Sequence, residues 1–132
     1  MIPRAFWHHL AAFYFAFQTL CGALWWLLIA FEPRVRPLFR PTHTPDSALL
    51  AFFLSDAILF LGLGAWSAWV LVKRPDAARW PLALHIGATV YAALYCIGQT
   101  LLTGQAMGAA ILMTLGALCG AFLSWRAMSG GD

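Results

Sequence analysis

Four stretches of the chain are apolar almost without interruption, roughly Ala5 to Phe31, Leu49 to Val72, Pro81 to Thr103 and Ala106 to Trp125. Each is close to the twenty or so residues with which an α-helix crosses the hydrocarbon core of a bilayer. The runs are too long and too weakly alternating for barrel strands, so their backbone hydrogen bonds must close within each segment, as in a helix. The pattern predicts an all-α fold, an integral membrane four-helix bundle, with residues 1–132 as a single transmembrane domain.

The few polar positions inside these runs predict which faces turn inward. In the third run, His85, Tyr91, Tyr95 and Gln99 fall at roughly 0°, 240°, 280° and 320° on a helix, one arc of about 120° that also holds Ala88 and Ala92. In the first run, His8, Ala11, Ala12, Phe15, Gln18, Thr19, Gly22 and Trp26 share an arc of similar width. Small and polar residues on one face are what helix contacts in lipid require, because close approach and hydrogen bonds replace the hydrophobic drive. The fourth run carries Gly104, Gly108, Gly116, Gly120 and Ser124 at four-residue spacing, broken only by Leu112. That ridge predicts a close helix contact, with Ala110 lying off it.

Asp56 is the one acidic residue inside a span, since Glu32, Asp46, Asp76 and Asp132 lie in connections or at an end. A carboxylate at depth costs several kcal/mol unless it is paired, neutralised or hydrated. Seven residues beyond Leu49, it sits about 10 Å below the outer edge of the apolar zone. The same depth on the other spans falls at Trp25, at Tyr95 and Cys96, and at Met113, so Tyr95 is its expected hydrogen-bond partner, with Gln99 one turn further out. Two clusters follow: Asp56, Tyr95, Gln99 and Trp26 outside, and His8 or His9 with His85 inside. Gln18, Thr19 and Tyr91 lie between them. The expected ligand-binding set is therefore Gln18, Thr19, Trp26, Asp56, Tyr91, Tyr95 and Gln99, a polar-aromatic interior suited to a lipophilic molecule with one polar end.

Other chemistries fit the same residues. Asp56 and Tyr95 would serve as the acid-base pair of a membrane isomerase acting on a sterol- or isoprenoid-like lipid, or Asp56 would exchange protons in a small-molecule carrier. His8 and His85 would suit a b-type haem or a metal ion, and no cofactor is otherwise assigned. The plainest alternative is that these groups satisfy one another and fix helix register. No phosphate-binding glycine loop, H-E-x-x-H or nucleophile elbow is present. The size and four-helix plan resemble the small multidrug-resistance transporters, in which a coupling carboxylate lies in the first helix; here the first span has no acid, and that function is not carried over.

Composition narrows the class further. At 62% hydrophobic and 10% charged residues, the chain has too few charges to cover a water-exposed surface. The three cysteines, Cys21, Cys96 and Cys119, lie inside spans without a C-x-x-C pair, which indicates neither a disulfide framework nor a zinc site. No basic face suggests nucleic acid. The expected partners are membrane lipids, a lipophilic small molecule, and further copies or subunits of a larger membrane complex.

With the N-terminus inside, five basic residues face the cytoplasm (Arg4, Lys73, Arg74, Arg79 and Arg126) and three face out (Arg34, Arg36 and Arg40). That majority predicts a multi-pass protein of the cell inner membrane with both termini cytoplasmic. Met1 to Arg4 ahead of an apolar run has the look of a signal peptide, but the run outlasts a usual h-region and ends at Glu32-Pro33 without a small-x-small site, so it is expected to stay as the first helix. Pro33, Pro37, Pro41 and Pro45 recur every fourth position in the outer loop. They predict an extended, stiff connection over the bundle mouth, its arginines meeting lipid phosphates and His43 solvated. Thr103-Gly104-Gln105 predicts a tight outer turn, and the Ser129–Asp132 tail is expected to be loose.

Overall fold

In the computed structural model, four helices account for most of the chain: α1 (Arg4–Phe31), α2 (Asp46–Lys73), α3 (Arg79–Thr103) and α4 (Met107–Ser129). Residues 3–129 are described, so residues 130–132 of the expected loose tail lie outside them. All four helices are long and apolar enough to cross a membrane, and no strand occurs among the described residues. α1 packs on α2 and α4, and α3 packs on α4 and α2, closing an up-and-down ring. The protein is an all-α membrane bundle of four helices.

Two apolar clusters hold the ring, one toward the end of the bundle where α1 begins, here called inner, and one toward the opposite end, called outer. The inner one joins Ala11, Ala12 and Phe15 of α1 to Val70 and Leu71 of α2, Leu82 of α3 and Ala127 of α4. The outer one is smaller, with Trp26 and Ile29 of α1 against Leu49 of α2. Between Leu49 and Asp56, α2 has no buried residue, and positions 50–55 are all exposed. The outer half of α2 is therefore loosely held.

The connections are fixed by local chemistry. α3 ends where Gly104 takes a left-handed conformation (φ +69°) and its N–H bonds to the Thr100 carbonyl at 2.8 Å, a glycine termination that other residues adopt at a cost. The proline-rich loop departs from the extended strap expected of it. Pro33–Leu38 winds into a short 3₁₀ helix, which proline at its first position favours through its fixed φ. Two of the loop's three arginines turn inward, while Arg34 stays exposed: Arg36 donates from Nε to the Ile29 carbonyl (2.9 Å) and from Nη2 to that of Ala30 (3.2 Å), satisfying the end of α1. Arg36 and Arg40 both pair with Asp46, at 3.4 and 2.8 Å. Unpaired helix-end carbonyls and a nearby carboxylate are better partners for these guanidiniums than distant lipid phosphates. The loop also crosses to the other side of the bundle, where the Thr42 N–H donates to Gln105 Oε1 at 2.7 Å. His43, exposed and with φ +74°, marks the bend.

The glycine ridge of α4 serves a contact only along its inner half. A Cβ on Gly120 would come within 2.9 Å of Ile86 Cδ1, and one on Gly116 within 3.4 Å of Gln18 Nε2. Gly108 has nothing within 4 Å, while Ala110 is buried. A four-residue ridge advances about 40° per step, so from Gly108 to Ser124 it winds roughly 160° around the helix. Gly108 faces away from the contact that Gly120 and Ser124 make.

Candidate functional site

The polar centre of the bundle is built on His85, which is completely buried. Its Nε2 lies 3.2 Å from Gln18 Oε1, and because a carbonyl oxygen only accepts, Nε2 carries the proton and Nδ1 is left as an acceptor. Phe15 stands edge-on to the imidazole at 5.3 Å and Phe60 tilts over it at 5.4 Å. The Thr89 hydroxyl folds back onto the His85 carbonyl at 2.7 Å. Gly64 makes room for this group: a Cβ there would collide with Thr19 Oγ1 and reach within 3.1 Å of His85 Cε1. Thr19 Oγ1, His85 Nδ1 and Ser67 Oγ are buried with no hydrogen-bond partner among the described residues. Nearby, the Tyr14 hydroxyl donates to the Gly116 carbonyl at 2.6 Å and ties α1 to α4.

A second polar site lies towards the outer side. The Trp26 indole N–H donates to Asp56 Oδ2 at 3.2 Å, and Trp26 is itself buried, with Phe53 edge-on at 5.2 Å. Beside the pair runs a groove of about 220 Å³ lined by Trp26, Ala30, Leu50 and Phe53. Asp56 is not among its lining residues, and three of the four that are, Ala30, Leu50 and Phe53, are exposed on the surface of the bundle. Asp56 is half-buried and makes no ion pair among the described residues.

Between the sites, α2 changes its winding. Asp56–Gly62 is π-helical, a wider turn that is uncommon in proteins and recurs at functional positions. The Leu63 N–H reaches back five residues to Ile58. Gly22 receives the widened turn, since a Cβ there would lie 2.9 Å from both Leu61 Cδ2 and Phe60 Cε1.

These contacts reassign several residues expected from the sequence. Gln18, Thr19 and His85 come together, and Trp26 joins Asp56. Tyr95 does not bond to Asp56; its ring lies 5.1 Å from that of Phe52, and Cys96 is the α3 residue on the Asp56 side. Of the two α3 residues expected at this depth, Cys96 and not Tyr95 turns toward the acid. The inward face of α3 runs through Leu82, His85, Thr89, Ala93 and Thr100, which lie within about 80° of one another. Tyr91 stands about 160° from the middle of that face and is 68% exposed, while Gln99 is half-buried at its edge. Nor do His8 and His85 form a haem or metal pair. His8 Nε2 bonds to the Ala127 carbonyl at 3.0 Å, whereas the α1 residues against His85 are Phe15 and Gln18, about 10–15 Å further along the helix.

Thr89, Tyr14, Ser67, Gly64 and the π turn are parts of these sites that the sequence reading missed. Thr89 follows His85 by four residues and Gly64 precedes Ser67 by three, spacings that would have placed each pair on one face. Comparison with protein-family models, with curated proteins and with solved structures gives no match to this chain.

Proposed function

We propose that this protein binds a lipophilic molecule from the bilayer in the groove between α1 and α2, its polar end turned toward the Trp26–Asp56 pair at the groove's edge. The observation that carries this reading is the Trp26–Asp56 pair beside an open groove. A carboxylate in an apolar span, held by one indole and left without a cationic partner, retains strong capacity to engage a ligand. The groove is smaller than the roughly 300–1,000 Å³ of a pocket that encloses a drug-sized molecule. It takes one end of a ligand, and the rest stays in lipid.

Native mass spectrometry of the protein released from mild detergent tests this. Bound lipophilic molecules are expected on the wild type and are expected to be lost from Ala30→Phe, which fills the groove without touching Asp56. Equal occupancy of both proteins would overturn the reading.

Membership of a larger assembly is a second reading, supported by Tyr91. Its hydroxyl lies near the middle of α3 on the outward face, where hydrocarbon offers no acceptor. A neighbouring subunit, or a second copy, would supply one. Placement in an inner membrane with cytoplasmic termini is likewise our inference, supported by the majority of Lys and Arg on the side of the termini.

A further inference from the structure

The inner end of the bundle, where α1 begins and α4 closes, is basic and aromatic, and we infer that it docks an anionic phospholipid whose phosphate is taken by Arg126. This surface lies at the opposite end from the groove beside Trp26 and stands independently of it. The Arg126 guanidinium lies 4.5 Å from the centroid of the Trp7 ring, with the Trp125 ring at 5.8 Å. Phe6 and Phe122 stand edge-on to Trp7 at 5.5 and 6.2 Å, so the stack joins both helices. An indole holds a guanidinium by its plane and leaves the N–H edge open to other partners. The arginine side-chain hydrogen bonds and ion pairs among the described residues are those of Arg36 and Arg40, at the outer end. Arg126 is therefore held in place, half-buried, with no acceptor for its donors among the described residues.

The surroundings favour an anion. Arg4, Lys73, Arg74, Arg79 and Arg126 sit at this end against Asp76 alone among the described residues, and the first turn of α1, beside Trp7, holds no acidic residue. Trp80 and Trp125, 74% and 56% exposed, set this end at the level of the headgroups, where tryptophan concentrates. Phe6 and Phe122 are exposed there as well and offer apolar surface to an acyl chain. Every phospholipid brings a phosphate, which a guanidinium binds through two parallel N–H···O bonds. The headgroup beyond it decides between lipids: choline or ethanolamine adds a cation that the basic residues repel, and glycerol adds none.

Native mass spectrometry of the full chain in mild detergent, titrated with phosphatidylglycerol and phosphatidylcholine of identical acyl chains, tests this. The wild type is expected to carry phosphatidylglycerol in preference. Arg126→Gln is expected to lower that binding about fivefold, the share of one basic residue beside an anionic headgroup. Two controls are expected to leave it unchanged: Arg34→Gln, which removes the same charge from an exposed arginine at the outer end, and Ala30→Phe, which fills the groove beside Trp26. Equal binding of both lipids by the wild type would overturn the inference. Equal losses in Arg126→Gln and Arg34→Gln would overturn it too, because net charge and not this site would then hold the lipid. Neither result touches the groove, which Ala30→Phe tests separately. Should Arg126→Gln not fold by circular dichroism, Arg126→Lys decides, since it keeps the charge and loses the planar fork. Undiminished phosphatidylglycerol binding by a folded Arg126→Lys protein would overturn the assigned site.

Discussion

Gln18 and His85, 67 residues apart, meet at 3.2 Å in the middle of the bundle and join the first helix to the third. Interhelical hydrogen bonds in membrane proteins contribute about 0.6 kcal/mol on average and up to about 1.7. The enclosure of His85 between Phe15 and Phe60 places this bond at the upper part of that range. In a double-mutant cycle with Gln18→Leu and His85→Leu, the two losses of stability are expected to fall short of additivity by about 1 kcal/mol. Unfolding in mixed micelles measures it, and additivity within about 0.3 kcal/mol would show that the contact carries no coupling.

The glycines divide into two groups by what surrounds them. At Gly64 and Gly22 a methyl group would meet side chains of neighbouring helices at or inside contact distance, and overpacking of this kind costs about 1–3 kcal/mol. Gly87 and Gly108 have nothing within 4 Å, so alanine there is expected to be neutral or to stabilise by up to about 1 kcal/mol through helix propensity. Thermal aggregation profiles of the four alanine variants should fall into those pairs. A destabilised Gly108→Ala would indicate a contact made by α4 outside this chain.

Much of the architecture was legible because membrane spans announce themselves through length and hydropathy, and the inward stripe of α1 survives almost intact from Ala11 to Trp26. The third helix was misread because its stripe was chosen by polarity. Tyr91, Tyr95 and Gln99 are more polar than Ala93 or Cys96, yet the close-packed face of a lipid-embedded helix is decided by size, and the smaller residues took it. The π turn was not legible at all. Gly62 is the one weak helix former in Asp56–Gly62 and does not by itself call for a wider turn; the wider winding fits against Gly22 of α1 and sets Phe60 against His85, which are tertiary facts.

Topology is open to a direct measurement. With the native cysteines replaced, a single cysteine at His43 is expected to react with an impermeant maleimide from outside intact cells, and one at Asp76 only after permeabilisation. His43 is exposed at the outer bend and Asp76 is exposed in the short turn between α2 and α3, so both are accessible to reagent. Preferential labelling of Asp76→Cys in intact cells would reverse the orientation and put the groove in the opposite leaflet.

Asp56 separates architecture from function most sharply, because its replacements can be chosen to keep or remove one feature at a time. Asparagine keeps an oxygen that accepts the Trp26 N–H and removes the charge. Its stability is expected to match the wild type within about 0.5 kcal/mol. Leucine keeps the volume and removes the acceptor, leaving a buried indole N–H without a partner, which costs about 1–3 kcal/mol. Trp26→Phe keeps an aromatic wall for the groove while depriving Asp56 of its donor, and a loss similar to that of Asp56→Leu is expected. If the carboxylate serves only to hold Trp26, then Asp56→Asn should carry the same bound molecules as the wild type by native mass spectrometry. If it holds the ligand, Asp56→Asn should emerge folded and empty, because an amide offers neither the charge nor an exchangeable proton in the useful pH range. The second outcome is the expected one: an asparagine would hold the indole equally well without the cost of an acid in lipid. A folded Asp56→Asn protein with undiminished occupancy would make the acid a structural acceptor for Trp26.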